Sequence, residues 1–240
     1  FNGKIGFDYS ASKKTTLGVV LNGFYNPGYF KNRSDVDISD PLHVLQSRTI
    51  SSTSNDMKWR HLGGNLNFRH MFDSTGRELT IDADILSYRR TNAQDLVNEY
   101  YLPDGTSSSK ADTLFGDLPQ QIKIYTAKAD YVHPLKKNAR FEAGVKTSFV
   151  KTDNNAIYDS LNYGVRVRDI GRSNHFVYDE NVNAAYVNYT RPLSKKITGQ
   201  FGLRLEHTNA RGNQLITGER FERNYVQLFP TAFLQYELNE

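Results

Sequence analysis

Apolar and polar residues alternate along most of this chain, in paired runs joined by short polar turns. The longest unbroken example occupies residues 174–209. Asn183, Ala185, Val187 and Tyr189 share one parity before the turn at residues 191–196. After it, Ile197, Gly199, Phe201, Leu203 and Leu205 share one face, opposed by Thr198, Gln200, Gly202, Arg204 and Glu206. A period of two is the mark of a strand, because successive strand side chains point to opposite faces. Strands of soluble proteins usually have about 5–6 residues, whereas one crossing a bilayer at a tilt needs roughly 9–11. This hairpin is long enough to cross.

Three further pairs repeat the pattern. Ile5, Phe7 and Tyr9 lead into a turn at residues 10–14, and Leu17, Val19 and Leu21 lead away from it. Leu62, Leu66, Phe68 and Phe72 precede a turn at 73–77, followed by Leu79, Ile81, Ala83 and Ile85. Tyr125, Ala127, Ala129 and Tyr131 precede a turn at 134–138, followed by Phe141, Ala143, Val145 and Phe149. A last run carries Leu228, Pro230, Ala232, Leu234 and Tyr236; a proline there calls for an edge strand or a bulge. Between the pairs the pattern fails, and residues 26–56, 92–119, 153–173 and 209–224 read as four long loops. Such loops at every second connection are uncommon in compact soluble domains. Short turns at one rim and long loops at the other are the habit of outer-membrane barrels. The spacing therefore predicts an all-β fold: an antiparallel up-and-down meander of about nine long strands, a section of a transmembrane β-barrel. Residues 1–240 form part of one barrel domain on this reading.

Each face has its own chemistry. An aromatic stands on the apolar parity at the short-turn end of five strands: Tyr9, Phe72, Tyr131, Tyr189 and Tyr236. A ring of aromatics at one level suits the headgroup zone of a bilayer, so these five are the expected lipid-facing girdle. The opposite parity holds Asn65, Asn67, Arg69, Asp82, Asp84, Lys146, Arg204 and Glu206, the lining of a hydrated lumen. The rival arrangement is a soluble β-sandwich, a ligand-binding or adhesin module, in which the polar parity faces solvent and the apolar faces meet in a core.

Composition narrows the partners. Thirty basic against 26 acidic residues leave a net charge of +4, scattered without a stripe, so no nucleic-acid partner is expected. The absence of cysteine excludes a disulfide scaffold and a thiolate metal site. Mean hydropathy is −0.62, which is compatible with a barrel because only alternate residues meet lipid. Fifteen tyrosines and 14 phenylalanines reinforce the all-β reading.

Catalytic chemistry finds little support. His175 and His207, with Ser173, Asp179 or Glu206, are the only candidates for a nucleophile and base, and no hydrolase or metalloprotease motif is present. Asp179 and Glu180 beside Asn181 and Asn183 are suited to calcium by residue type alone, and turn chemistry explains them as well. Asn188-Tyr189-Thr190 matches a glycosylation acceptor in form but falls inside an expected strand. No catalytic, metal or cofactor site is expected.

Several stretches resemble a known family. They are Phe176-Val177-Tyr178-Asp179-Glu180-Asn181-Val182-Asn183-Ala184-Ala185-Tyr186, Gly202-Leu203-Arg204-Leu205-Glu206-His207-Thr208 and Tyr225-Val226-Gln227-Leu228-Phe229-Pro230-Thr231. With residues 12–18 and 144–146, they resemble the barrel of TonB-dependent-receptor-like outer-membrane proteins of the Bacteroidetes type. The resemblance implies a 22-stranded barrel in the Gram-negative outer membrane, filled by a plug domain and driven through a TonB complex to import a nutrient. With about nine strands, and without the plug, TonB-contacting segment and terminal aromatic of that pattern, the chain is expected to be a section of a longer receptor. Ligand contacts are then expected from the aromatics of the long loops: Tyr29, Phe30, Tyr100, Tyr101, Phe115, Tyr158 and Tyr163.

Overall fold

Alternation of this length has one structural outcome, a ladder of long antiparallel strands. The computed structural model describes residues 1–238. Its strands are β1 (Asn2–Ser12), β2 (Thr15–Ser39), β3 (Leu45–Met71), β4 (Glu78–Tyr101), β5 (Asp112–Asp117), β6 (Gln120–Pro134), β7 (Arg140–Asn162), β8 (Val165–Arg168), β9 (Asn174–Pro192), β10 (Ile197–Gln214) and β11 (Arg220–Tyr236). All belong to one antiparallel sheet.

The eleven segments make nine staves. β5 and β6 both pair with β4 on one side and β7 on the other, so they are one stave broken at residues 118–119. Pro119 has no N–H to give to a ladder, and the break is held by Leu118 N–H donating to the Asn92 carbonyl at 3.0 Å. β8 and β9 likewise share the stave beyond β7. The expectation of about nine strands is met in this sense.

The expected long loops are corrected. β2 and β3 continue to Ser39 and from Leu45, so most of residues 26–56 is a hairpin. β4 continues to Tyr101 and β7 to Asn162, while β10 and β11 are separated by residues 215–219 alone. The extensions are strands because their neighbours extend with them and satisfy the backbone groups. What ends at the expected boundaries is the old parity of the side chains, as described below.

The short turns follow local chemistry. The Asp73 carboxylate accepts from Thr75 N–H at 2.9 Å, and Gly76 takes the left-handed region at φ 94. Ser194 Oγ accepts from Ile197 N–H at 3.1 Å in the turn before β10. Pro230 lies opposite Leu203 on β11, which pairs only with β10 among the described residues, so its missing N–H costs the described ladder nothing.

No second layer covers the sheet. Among the described residues no large side chain is fully buried. A sandwich requires two inner faces packed into a core about 10 Å thick, and this sheet has no such partner. The soluble sandwich is set aside.

Candidate functional site

The register brings all the apolar parities to one side. One row runs through Tyr9, Leu17, Phe68, Ile81, Ala129, Val145, Ala185, Leu205 and Leu228, each paired with the next across all nine staves. The adjacent row is Asp8, Gly18, Asn67, Asp82, Lys128, Lys146, Ala184, Glu206 and Gln227. The first face is the more exposed: Leu66 is 60% and Val145 56% accessible, whereas Asn67 and Lys146 are half-buried. Polar groups that shelter one another while leucines stand free invert the order of a soluble protein.

The outward apolar band has bilayer dimensions. On β11 it runs from Val226 to Tyr236, ten residue steps, or about 34 Å along the strand. At a tilt of about 40° that is about 26 Å of height, near the ~25 Å band of transmembrane barrels.

The inward face at this height is a polar network. Lys128 Nζ lies 2.9 Å from Asp130, and Tyr186 donates its hydroxyl to the same carboxylate. Arg204 pairs with Glu206 at 2.5 Å and lies over the Tyr186 ring, 5.4 Å from its centroid. Asn65 Nδ2 donates to Asp84 at 2.7 Å. The Tyr186 ring lies across Gly144, so close that any side chain there would collide with it.

Above the band the two faces exchange character. Outward positions become Arg60, Arg89, Lys123, Lys151, Asp179, Arg211 and Glu222. Inward positions become Trp59, His61, Tyr88, Ile122, Val150, Tyr178 and Phe221. Trp59 meets Phe24 edge-on at 5.6 Å, His61 stacks on Tyr88 at 4.3 Å, and Phe221 lies 6.4 Å from Phe176. An aromatic belt thus lines the interior just outside the membrane-spanning part.

Two hollows open in this belt, beside the break between β5 and β6. One, of about 340 Å³, is lined by Trp59, Tyr88, Arg90, Gln120, Ile122 and Ile124. The other, of about 410 Å³, shares Arg90 and Gln120 and adds Asn92, Asn154, Asn174, Tyr158 and Phe176 among its walls. Arg90, Gln120, Asn154 and Phe176 lie on one ladder row with Trp59, which is why they converge. None of these except Tyr158 stood out in the sequence as a candidate contact. The available signal was parity: aromatic and branched residues begin to fall on the formerly polar positions from Trp59, Tyr88 and Ile122 onward.

The other sequence candidates lie as follows. Counted from the row members on the same staves, Tyr9, Phe72, Tyr131, Tyr189 and Tyr236 stand 0, 4, 2, 4 and 8 residues toward the short-turn end. The steps are uneven, and all five stand at or toward the short-turn ends of their staves. Phe72 and Tyr131 touch edge-on at 6.0 Å. Tyr29 and Phe30 are on β2, Tyr100 and Tyr101 on β4, Phe115 on β5 and Tyr158 on β7, so six of the seven expected loop aromatics stand on strands. Tyr163 alone is in a turn, at φ 49. Phe115 is capped by the Arg166 guanidinium at 3.4 Å from its ring centre.

The nucleophile and base candidates are not brought together. His175 bonds Asp153 at 2.9 Å, His207 bonds Asn224 at 2.8 Å, and Ser173 Oγ accepts from Tyr158 N–H at 3.0 Å. Asp179 turns outward to Lys151 while Glu180 turns inward, so the two carboxylates diverge. Among the described residues no group of three or more His, Asp or Glu side chains is placed to hold a metal.

A single-layered antiparallel ladder, apolar outward over a bilayer's height and polar inward, is the wall of a transmembrane β-barrel. The chain belongs to the outer membrane protein beta-barrel family, whose model matches residues 70–240. It is an outer-membrane protein. No curated protein matches the chain. Among solved structures it is similar to the ferric citrate transporter FecA in its unliganded form, at 13% identity and a TM-score of 0.41. It is also similar to the ferric yersiniabactin uptake receptor FyuA from Yersinia pestis, at 13% identity and a TM-score of 0.36. All of this chain is covered in both, against 42% of either structure's chain.

Proposed function

We propose that this chain is a section of the wall of a larger nutrient-uptake receptor of the TonB-dependent type. The observation that carries the reading is the exchange of character along the staves. A lipid-compatible band below and an inward-facing aromatic belt above suit a receptor that spans the membrane and collects a ligand outside it. The outer edges of β1 and β11 carry unpaired backbone groups among the described residues, and we assign them to further strands of the parent barrel. In this reading Tyr9, Phe72, Tyr131, Tyr189 and Tyr236 form the girdle at the short-turn rim, in contact with outer-membrane lipid. The Asp130–Tyr186–Arg204–Glu206 network lines the lumen occupied by the plug domain, which a TonB complex moves. The protein carries cargo and performs no catalysis.

Two experiments test the proposal. Spin labels at Leu66, Val145, Val187 and Leu203 meet oxygen dissolved in the bilayer, while labels at Asn67, Lys146, Asn188 and Arg204 meet a water-soluble relaxant. Labels of the first set shielded from both reagents would overturn the membrane wall. Uptake by cells carrying the full-length protein stops when a protonophore collapses the inner-membrane gradient; uptake that continues undiminished makes the protein a passive pore.

A further inference from the structure

We propose that the paired hollows of the aromatic belt bind a saccharide bearing one acidic group, an inference that rests on the uptake reading above. Trp59 is the starting point. It is 45% exposed on an inward face whose outward neighbours Lys58 and Arg60 are charged, so a large apolar ring is presented to the barrel interior. A pyranose ring has a face of C–H groups that matches such a surface, with hydroxyls around its rim. Ile122 and the Tyr88 ring continue the apolar floor beside it.

The second hollow supplies what the rim needs. Asn92, Asn154, Asn174 and the shared Gln120 are primary amides, a group with both donors and an acceptor; the Asn174 oxygen already accepts from Gln214 Nε2 at 2.6 Å, so Asn174 offers its N–H groups. Sugar hydroxyls also donate and accept, so uncharged amides satisfy them without favouring ionised groups. Asn92 is the most buried of the four amides. It is 5% exposed, its Nδ2 donates to Asn55 Oδ1 at 3.0 Å, and its Oδ1 accepts nothing. That oxygen is itself closed to solvent, so it marks an unsatisfied wall of the hollow and leaves the ligand contacts to the other amides.

Arg90 sets the charge. It stands where the hollows join, and among the described residues no carboxylate lies within ion-pair distance of it. One unpaired guanidinium among amides fits one carboxylate or sulfate on an otherwise neutral ring system. A polyanionic metal chelate would call for several converging cations. Volumes of about 340 and 410 Å³ are within the range of small-ligand sites, about 300–1,000 Å³.

Trp59 is the only tryptophan of the chain and reports on the site directly. The full-length protein in lipid vesicles is titrated with digalacturonate and with neutral digalactose. Acrylamide quenching is read as the difference between the protein and its Trp59→Phe variant. Saturable protection by digalacturonate, weakened about tenfold in Arg90→Gln with the weaker digalactose response unchanged, is the expected result. A Trp59 that acrylamide reaches but neither sugar protects overturns the saccharide assignment and leaves the uptake reading to its own protonophore test. A Trp59 shielded from acrylamide before any sugar is added, and untouched by brominated lipid, means another part of the protein fills the belt, which also overturns the site. Quenching by brominated acyl chains puts the belt in lipid, and both readings fall together.

Discussion

The short-turn halves of the staves and their extensions are built from the same strands and obey opposite rules. In the short-turn halves Leu66, Val145 and Leu203 point outward and Asn67, Lys146 and Arg204 inward. In the extensions Arg60, Lys123 and Lys151 point outward, and Trp59, Ile122 and Val150 inward. The backbone pairing continues without a break on β3 and β4 through the change. Strand geometry therefore does not decide which side is apolar; the surrounding medium does. Hydrocarbon outside demands apolar side chains there, and water outside permits charge, freeing the interior to be apolar.

The largest effect that could break this comparison is a charge on the outward face. Leu203→Arg is expected to cost about 2–4 kcal/mol in guanidinium unfolding from lipid vesicles. Ala93→Arg, also outward but in the extension, is expected within about 0.5 kcal/mol. Equal costs at both positions would erase the boundary. Next is the polar interior of the membrane half, where Tyr186→Phe removes a hydrogen bond to the Asp130 carboxylate. A bond to a charged group is worth about 1.5–3 kcal/mol, and the same unfolding assay measures the loss. In the aromatic belt, Trp59→Ala removes the edge-on contact with Phe24, an aromatic pair worth about 0.5–1.5 kcal/mol. Digalacturonate affinity, read by titration calorimetry because this variant lacks the fluorescent reporter, should fall by more than that small loss of stability accounts for.

The smallest effect lies outside the membrane, at the turn before β4. The Thr75 hydroxyl, first, and the Arg77 guanidinium hold the Asp73 carboxyl well below the usual carboxylate range. A carboxyl depressed in the folded state contributes its full share above the unfolded value, about pH 4. The share is lost as acidification proceeds from there down through the folded value. The Thr75 amide resonance of the folded protein in lipid nanodiscs should hold its position from neutrality through about pH 4, where a free carboxyl titrates, and shift only on further acidification. In Asp73→Asn the carboxyl titration disappears; a Thr75 shift that stays unchanged in that variant would assign the titration elsewhere.

The same exchange explains what could be read from the sequence. Fold class, the four short turns and the outward face were legible because Leu62 to Phe72 or Ile197 to Leu205 keep one parity for the whole crossing. The extensions look like loops in the sequence because parity exchanges near Trp59, Tyr88, Ile122 and Val150, and a period-two pattern that changes phase looks like none at all. The site was hidden for the same reason. Trp59, Arg90, Gln120 and Phe176 are far apart in the chain and meet through ladder register alone. Tyr158, the expected contact that does line a hollow, is conspicuous in the sequence by its aromatic ring and reaches the hollow from a strand.

The ring of Tyr186 resting on Gly144 has a consequence for how the wall is assembled. Gly144 is opposite Tyr186 in the β7–β9 ladder and is the one inward residue there with no side chain; two steps either way are Glu142 and Lys146. A slip of one residue would turn every side chain of β9 to the wrong face, and the bilayer itself rejects that error. A slip of two preserves the faces, so the bilayer does not detect it. The bare Gly144 opposes it, because the phenol would otherwise be driven into a charged neighbour. Gly202, against which Asn188 and Thr231 close from either side, repeats the device on β10. These two notches act as keys for zippering, favouring the observed setting of β9 against both of its neighbours.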